Sequence, residues 1–205
     1  KYRNSGQTCV CTNRIFVQDT IHDVFVDKLV AATAKLKMGN GLDEAVQQGP
    51  LVNERAVEDV DRLVRLSTEA GAQVALGGAR SDLGPCYYQP TVLTGVSPGM
   101  AVFRNEIFGP VAPVMSFSDE AEAVALANDT EFGLASYFYT RDIGRVWRVS
   151  EALDYGMVGV NEGIISNEMA PFGGVKASGS GREGSKYGID DYLEIKYILM
   201  GGLDR

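Results

Sequence analysis

Cys9 stands in the run Arg3-Asn4-Ser5-Gly6-Gln7-Thr8-Cys9-Val10-Cys11. A thiol framed by a glycine and small polar residues suits an exposed loop. There a thiolate can act as a nucleophile once its surroundings favour ionisation, an isolated thiol titrating near about 8.5. Gly6 permits close backbone approach, and the Cys9 amide can donate to a developing oxyanion. The same residue types also make an inert buried thiol. A second run, Glu106-Ile107-Phe108-Gly109-Pro110, sets a carboxylate two positions before an aromatic ring. Such a pair can hydrogen-bond a ribose diol and pack on a flat base, although taken alone it is an ordinary turn. A third, Pro171-Phe172-Gly173-Gly174-Val175-Lys176 followed by Ser178 to Glu183, is glycine-rich but lacks P-loop spacing, so by itself it reads as a structural loop. A cysteine hydrolase would need His22, the single histidine, as its base; among Asp19, Thr20 and Asp23 that residue reads as a surface group.

The composition narrows the class. Against 19 basic residues stand 27 acidic ones, a net charge of −8, which disfavours a nucleic-acid partner that would require a positive face. No apolar run reaches membrane-span length and no signal peptide is visible, so no membrane partner is expected. Three cysteines do not make a disulfide framework and favour a reducing, cytoplasmic setting. One histidine without a dense Cys/His cluster leaves little material for a metal site. Because the chain opens on Lys1, part of the protein is expected to lie upstream.

The elements that must position these residues alternate. Residues 14–18 read as a strand, and residues 21–36 as a helix with Val24, Phe25, Leu29, Ala32 and Leu36 on one face. Residues 54–70 form a second helix burying Val57, Val60, Leu63 and Val64, before strands over 73–76 and 111–117. Ser118 is the expected N-cap of a helix carrying Ala123, Val124 and Leu126. A strand over 134–139, a helix with Ile143, Val146 and Trp147 on one face, and a strand over 157–160 follow. The alternation predicts an α/β domain with a parallel sheet covered on both faces. Residues 192–200 read as a terminal strand that pairs outside its own sheet, as with another subunit's, giving a domain over 1–184 and an extension over 185–205.

Taken together, in this order and at these separations, the three runs resemble the aldehyde dehydrogenase superfamily over essentially the whole chain. Gly6 to Cys9 matches the family's G-Q-x-C loop, Glu106 to Pro110 its E-x-F-G-P segment, and Pro171 to Lys176 its P-F-G-G-x-K loop. Arg3-Asn4, the Cys9-Val10-Cys11 pair, Asn161 to Ser166 and Gly184 to Tyr192 are similar to the succinate-semialdehyde subfamily. The resemblance implies oxidation of an aldehyde to an acid with NAD or NADP as cofactor. Cys9 would attack the aldehyde carbon, a thiohemiacetal would give up hydride to the nicotinamide, and water would release the acid from a thioester. It further implies that Glu106 and Phe108 contact the cofactor, and that Arg3, Ser166 and Phe172 line the substrate pocket. A guanidinium suits the remote carboxylate of succinate semialdehyde. In some relatives a Cys9–Cys11 disulfide would act as a redox switch; such a bond needs the loop to bend, the alternative being a thiol that points away. The family's activating glutamate, its oxyanion-hole asparagine and most of its dinucleotide-binding domain would lie upstream, so the isolated chain is expected to be inactive. A dimer or tetramer is also implied. Glutarate semialdehyde as substrate, a thioesterase using Cys9, and a non-catalytic self-associating domain remain alternatives. Cys86 has no assigned role.

Overall fold

The computed structural model describes residues 1–204; the end of the expected extension, Arg205, lies outside the described residues. Backbone proximity divides the chain into two units. The first comprises Lys1–Thr130 with Trp147–Leu153, and the second Glu131–Val146 with the chain from Asp154 onward.

The first unit is built on a four-stranded sheet. Strand β1 (Ile15–Gln18) begins six residues after Cys9, and helix α1 (His22–Thr33) follows it. Helix α2 (Glu54–Glu69) leads to β2 (Gln73–Leu76) and β3 (Thr91–Thr94), and the short α3 (Ala101–Arg104) precedes β4 (Val111–Phe117). The strand order is β1-β4-β3-β2, with β4 parallel to both of its neighbours and β2 antiparallel at the edge. The sheet is parallel across β1, β4 and β3, as the alternation predicted, and becomes mixed only at the β2 edge. Nothing helical separates β2 from β3, so the chain returns antiparallel.

Strand β4 is buried along Val111–Met115, as a central strand of a covered sheet must be. Its Pro113 lacks an N–H, yet the ladder tolerates it. Residues 111–113 pair with β3 and residues 114–117 with β1, so the proline falls where pairing passes from one neighbour to the other.

Helix α2 covers one face. Asn53 caps it by accepting from the Ala56 N–H at 2.9 Å, and Gly71, at φ +109°, follows its end. Val57, Val60, Leu63 and Val64 recur at helical spacing and pack with Leu93, Val102, Phe103, Ile107, Val111 and Met115. Full burial of each such side chain contributes on the order of 1.5–3 kcal/mol. Ser67 Oγ accepts from the Val102 N–H at 3.1 Å and so satisfies a donor at the start of α3.

Three expectations need correction. On α1 the face turned to the core carries Val26, Leu29 and Val30, while Val24 and Phe25 are exposed; apolar residues encircle this helix, so periodicity favours no face. Helix α4 (Glu120–Asn128) is capped by Asp119, which accepts from the Glu122 N–H, whereas Ser118 is held by the Glu122 carboxylate in a reciprocal box. Ile143 and Trp147 of helix α5 (Ile143–Ala152) are exposed and Val149 is its buried residue.

In the second unit β5 (Phe132–Gly133) pairs antiparallel with β8 (Val175–Lys176), and β6 (Ala135–Phe138) runs parallel to β7 (Met157–Val160). Residues 192–200, expected to pair outside their own sheet, join none of the chain's ladders. Tyr192 ends a 3-10 turn, and the residues from 193 to 200 meet no ladder partner among the described residues. They remain exposed, with Ile195 fully so. Among the described residues no helix is long and apolar enough to cross a membrane.

Candidate active site

The cysteine loop is held from its first residues. Tyr2 donates its hydroxyl to the Thr91 carbonyl at 2.8 Å, tying the segment to β3. Residues Arg3–Gly6 form a 3-10 turn in which Asn4, Ser5 and Gly6 all take left-handed backbone angles, with φ of 51°, 54° and 80°. For Asn this is well tolerated; for Ser it is a strain of roughly 1–2 kcal/mol that its surroundings must hold. They do so: Ser5 is buried and its Oγ donates to the Gly49 carbonyl at 2.9 Å. Gln7 then clasps the neighbouring loop, its Oε1 accepting from the Val52 N–H at 2.8 Å and its Nε2 donating to the carbonyls of Asn4 and Pro50.

With both ends fixed, the chain turns at Thr8–Cys11, where the Cys11 N–H bonds the Thr8 carbonyl at 2.9 Å. Cys9 sits exposed within that turn. Among the described residues neither its thiol nor its amide N–H has a hydrogen-bond partner. An exposed thiol and a free N–H are thus presented by one residue. Cys11 is half-buried, and its Sγ lies 3.7 Å from the Arg3 carbonyl. The side chain of Arg3 is exposed.

The second expected segment abuts the first. A Cβ on Gly6 would stand 2.0 Å from the Gly109 carbonyl oxygen, so only glycine allows the two loops to meet as they do. Ile107, Gly109 and Pro110 are buried, with Gly109 lying against Val60 of α2. Their alternation with Glu106 and Phe108 turns both of those side chains outward. Phe108 has φ 50°, a left-handed angle that helps present the ring. The Glu106 carboxylate makes no hydrogen bond among the described residues. Burial lowers the Lys1 side-chain ammonium to about 8 against the attraction of Cys11 and Glu106.

The other two expected residues belong to the second unit. Ser166 is exposed on the loop that follows β7. Asn161 starts this loop in a left-handed conformation, bonding both the N–H and the carbonyl of Thr140 at 2.9 and 2.7 Å. Phe172 is half-buried where the chain pairs with Glu183 through two 2.8 Å backbone bonds, and Arg182 donates to the Gly174 carbonyl beside it. These bonds hold the third run as an ordered loop and fix Phe172 within it. His22, the base that a hydrolase would need, bonds Asp23 at 2.9 Å at the start of α1.

An exposed cysteine turn seated against an E-x-F-G-P loop is the arrangement on which the comparisons bear. The aldehyde dehydrogenase family model matches residues 1–198. The chain belongs to the aldehyde dehydrogenase family. It is similar to a glutarate-semialdehyde dehydrogenase of Pseudomonas aeruginosa, at 59% identity over 99% of this chain and 42% of that protein. It is also similar to a 3-sulfolactaldehyde dehydrogenase of Pseudomonas putida, at 60% identity over 100% of this chain and 42% of that protein. Among solved structures, the succinate-semialdehyde dehydrogenase of Burkholderia pseudomallei matches with a TM-score of 0.95 and 61% identity, covering 97% of this chain and 41% of that one. The chain thus spans about two fifths of the length of these family members.

Sequence reading missed Ser5 and Asn13 as members of the site. Ser5 could have been suspected, since a serine between asparagine and glycine invites a left-handed turn. Nothing local distinguishes Asn13, whose partners are about 90 residues away.

Proposed function

We propose that this chain is the catalytic portion of an NAD(P)-dependent aldehyde dehydrogenase that oxidises a carboxylated semialdehyde, with succinate semialdehyde as substrate, to the corresponding acid. The observation that carries this reading is Cys9, exposed in a rigidly held turn with both its thiol and its N–H available.

The thiolate adds to the aldehyde carbon while the Cys9 N–H donates to the oxygen that gains charge. Turn rigidity matters here, because the donor must be in place before charge develops. The sulfur then carries the acyl group until water releases it. The exposed Glu106 carboxylate and the outward Phe108 ring fit the ribose and flat base of a nicotinamide dinucleotide, which supplies the hydride acceptor when bound. Arg3 is assigned to the remote carboxylate through bidentate charge-assisted hydrogen bonds, with Ser166 as a second donor and Phe172 as an aromatic wall.

The names of the relatives favour the same class. Glutarate semialdehyde, succinate semialdehyde and 3-sulfolactaldehyde all carry a terminal anion. Glutarate semialdehyde is accordingly the second reading for the substrate. The exposed apolar run from Leu193 to Met200 supports assembly into a dimer or tetramer, since pairing would cover it. Oxidation of Cys9 and Cys11 by a peroxide would form a disulfide, the two thiol hydrogens leaving as water, and would remove the nucleophile until a thiol reductant restored it. The Cys11 thiol must first swing away from the Arg3 carbonyl.

The test of the substrate assignment is steady-state turnover, in an enzyme of full family length carrying this sequence, of succinate semialdehyde, glutarate semialdehyde and a neutral aldehyde. Arg3→Ala is expected to lower kcat/KM for the two carboxylated substrates at least tenfold more than for the neutral one. Equal losses on all three would remove Arg3 and the carboxylate from the account.

A further inference from the structure

Asn13 joins the two loops of the site through one side chain. Its Nδ2 donates to the Asn105 carbonyl at 2.9 Å, and its Oδ1 accepts from the Ile107 N–H at 2.9 Å. These two groups belong to the peptide planes on either side of the Glu106 Cα. Holding both planes fixes φ and ψ of Glu106, and with them the direction in which its side chain leaves the backbone. The amide orientation follows from the partners, since only one choice sets a donor against the carbonyl and an acceptor against the N–H.

The clamp itself stands on firm ground. Arg14, the next residue, donates to the carbonyls of Leu126 and Ala127 at 2.9 and 2.7 Å, at the C-terminal end of α4. Its guanidinium also lies 4.9 Å from the centre of the Phe103 ring. Asn13 is thus fixed by its own backbone neighbour rather than by the loop it holds. The cysteine turn has separate supports in Ser5 and Gln7, so loss of Asn13 leaves Cys9 in place.

We propose that Asn13 is a positioning residue that clamps the backbone on both sides of Glu106 and thereby sets this carboxylate, and the cofactor it binds, against the Cys9 turn. The inference rests on the assignment of Glu106 to the cofactor. It gives Asn13 an effect on cofactor use separate from any effect on thiol reactivity.

The experiment uses an enzyme of full family length carrying this sequence and compares Asn13→Ala, Asn13→Asp and Glu106→Gln. The readouts are the KM for the nicotinamide dinucleotide, kcat, and the rate of Cys9 alkylation by iodoacetamide without cofactor. Asn13→Asp is nearly isosteric and keeps the bond to Ile107, but it replaces the donor facing the Asn105 carbonyl with an acceptor. It therefore decides the matter if Asn13→Ala fails to fold. Both Asn13 variants are expected to raise the cofactor KM or lower kcat by about tenfold or more, an ångström of misplacement being able to cost about a hundredfold. Alkylation should stay within about twofold of the parent rate. The proposal is overturned if the folded Asn13 variants keep cofactor KM and kcat within about twofold, or if alkylation falls in parallel with turnover. If Glu106→Gln leaves cofactor KM and kcat unchanged, the assignment of Glu106 fails and the inference falls with it. If Glu106→Gln is impaired while the Asn13 variants are not, only the inference fails.

Discussion

Gly6→Ala tests the packing of the two loops most sharply. The added Cβ would lie 2.0 Å from the Gly109 carbonyl oxygen, 2.4 Å from the Gly109 carbonyl carbon and 3.1 Å from the Pro110 nitrogen. All three are backbone atoms, so no side chain can swing aside. Ordinary contact requires a retreat of about 1.4 Å by one loop. The glycine also holds φ +80°, where an L side chain costs roughly 1–2 kcal/mol. Overpacking adds about 1–3 kcal/mol, giving a destabilisation of about 2–5 kcal/mol in urea unfolding. Gly109 cannot yield inward because it rests on Val60, so the displacement falls on the turn bearing Cys9 or on the segment bearing Glu106 and Phe108. A shift of that size predicts a loss of about a hundredfold in kcat/KM. Gly41→Ala is the control, since its Cβ would meet nothing within 4 Å and its φ is ordinary. It is expected to be neutral or slightly stabilising. Gly6→Ala with turnover near the parent value and unfolding within about 0.5 kcal/mol of it would refute the close seating of the loops.

Three further outcomes follow from particular contacts. Asn53→Ala removes the cap of α2 and should lower unfolding free energy by about 1 kcal/mol in urea titration, a change below about 0.3 kcal/mol counting against the cap. Treatment with hydrogen peroxide should inactivate the enzyme reversibly through the Cys9–Cys11 bond; in Cys11→Ala, which lacks the thiol that traps the Cys9 sulfenic acid, excess peroxide should carry Cys9 on to the sulfinic acid and recovery by dithiothreitol should fail, unchanged recovery removing the switch. Arg104 donates to Asp129 at 2.8 Å and holds its carboxyl below the ordinary carboxylate range. Because the folded value is the lower one, this stabilisation is complete above the unfolded value of about 3.9 and is lost as pH falls through the folded value. An NMR titration of the Asp129 carboxyl carbon with its midpoint at or above 3.9 would contradict that pairing.

The alternation of elements was readable because strongly patterned segments declare themselves. Val57, Val60, Leu63 and Val64 lie on one stripe of a helix whose other residues are mostly charged, and that stripe is the buried one. Helix α1 offers apolar residues on both sides, so Val24 and Phe25 competed with Val26 and Val30 and only the fold separates them. Strand β3 is not legible in the sequence because four residues between Pro90 and Gly95 carry too little pattern, and their burial comes from pairing with β4. Among the site residues, Cys9, Glu106 and Phe108 stood out through the motifs around them. The restraint on those motifs did not, since the Gly6–Gly109 approach and the Asn13 bonds join residues about 90 to 100 positions apart. Long-range contacts of that kind leave no periodic trace.

The proposed chemistry depends above all on Cys9 as the nucleophile. The direct measurement is mass spectrometry of an enzyme of full family length carrying this sequence, quenched during turnover of succinate semialdehyde with the nicotinamide cofactor. An acyl adduct is expected on the peptide bearing Cys9, absent in Cys9→Ala together with all aldehyde-dependent NAD(P)H formation. A Cys9→Ala enzyme that still forms NAD(P)H from the aldehyde, or an adduct carried by another residue, would contradict it.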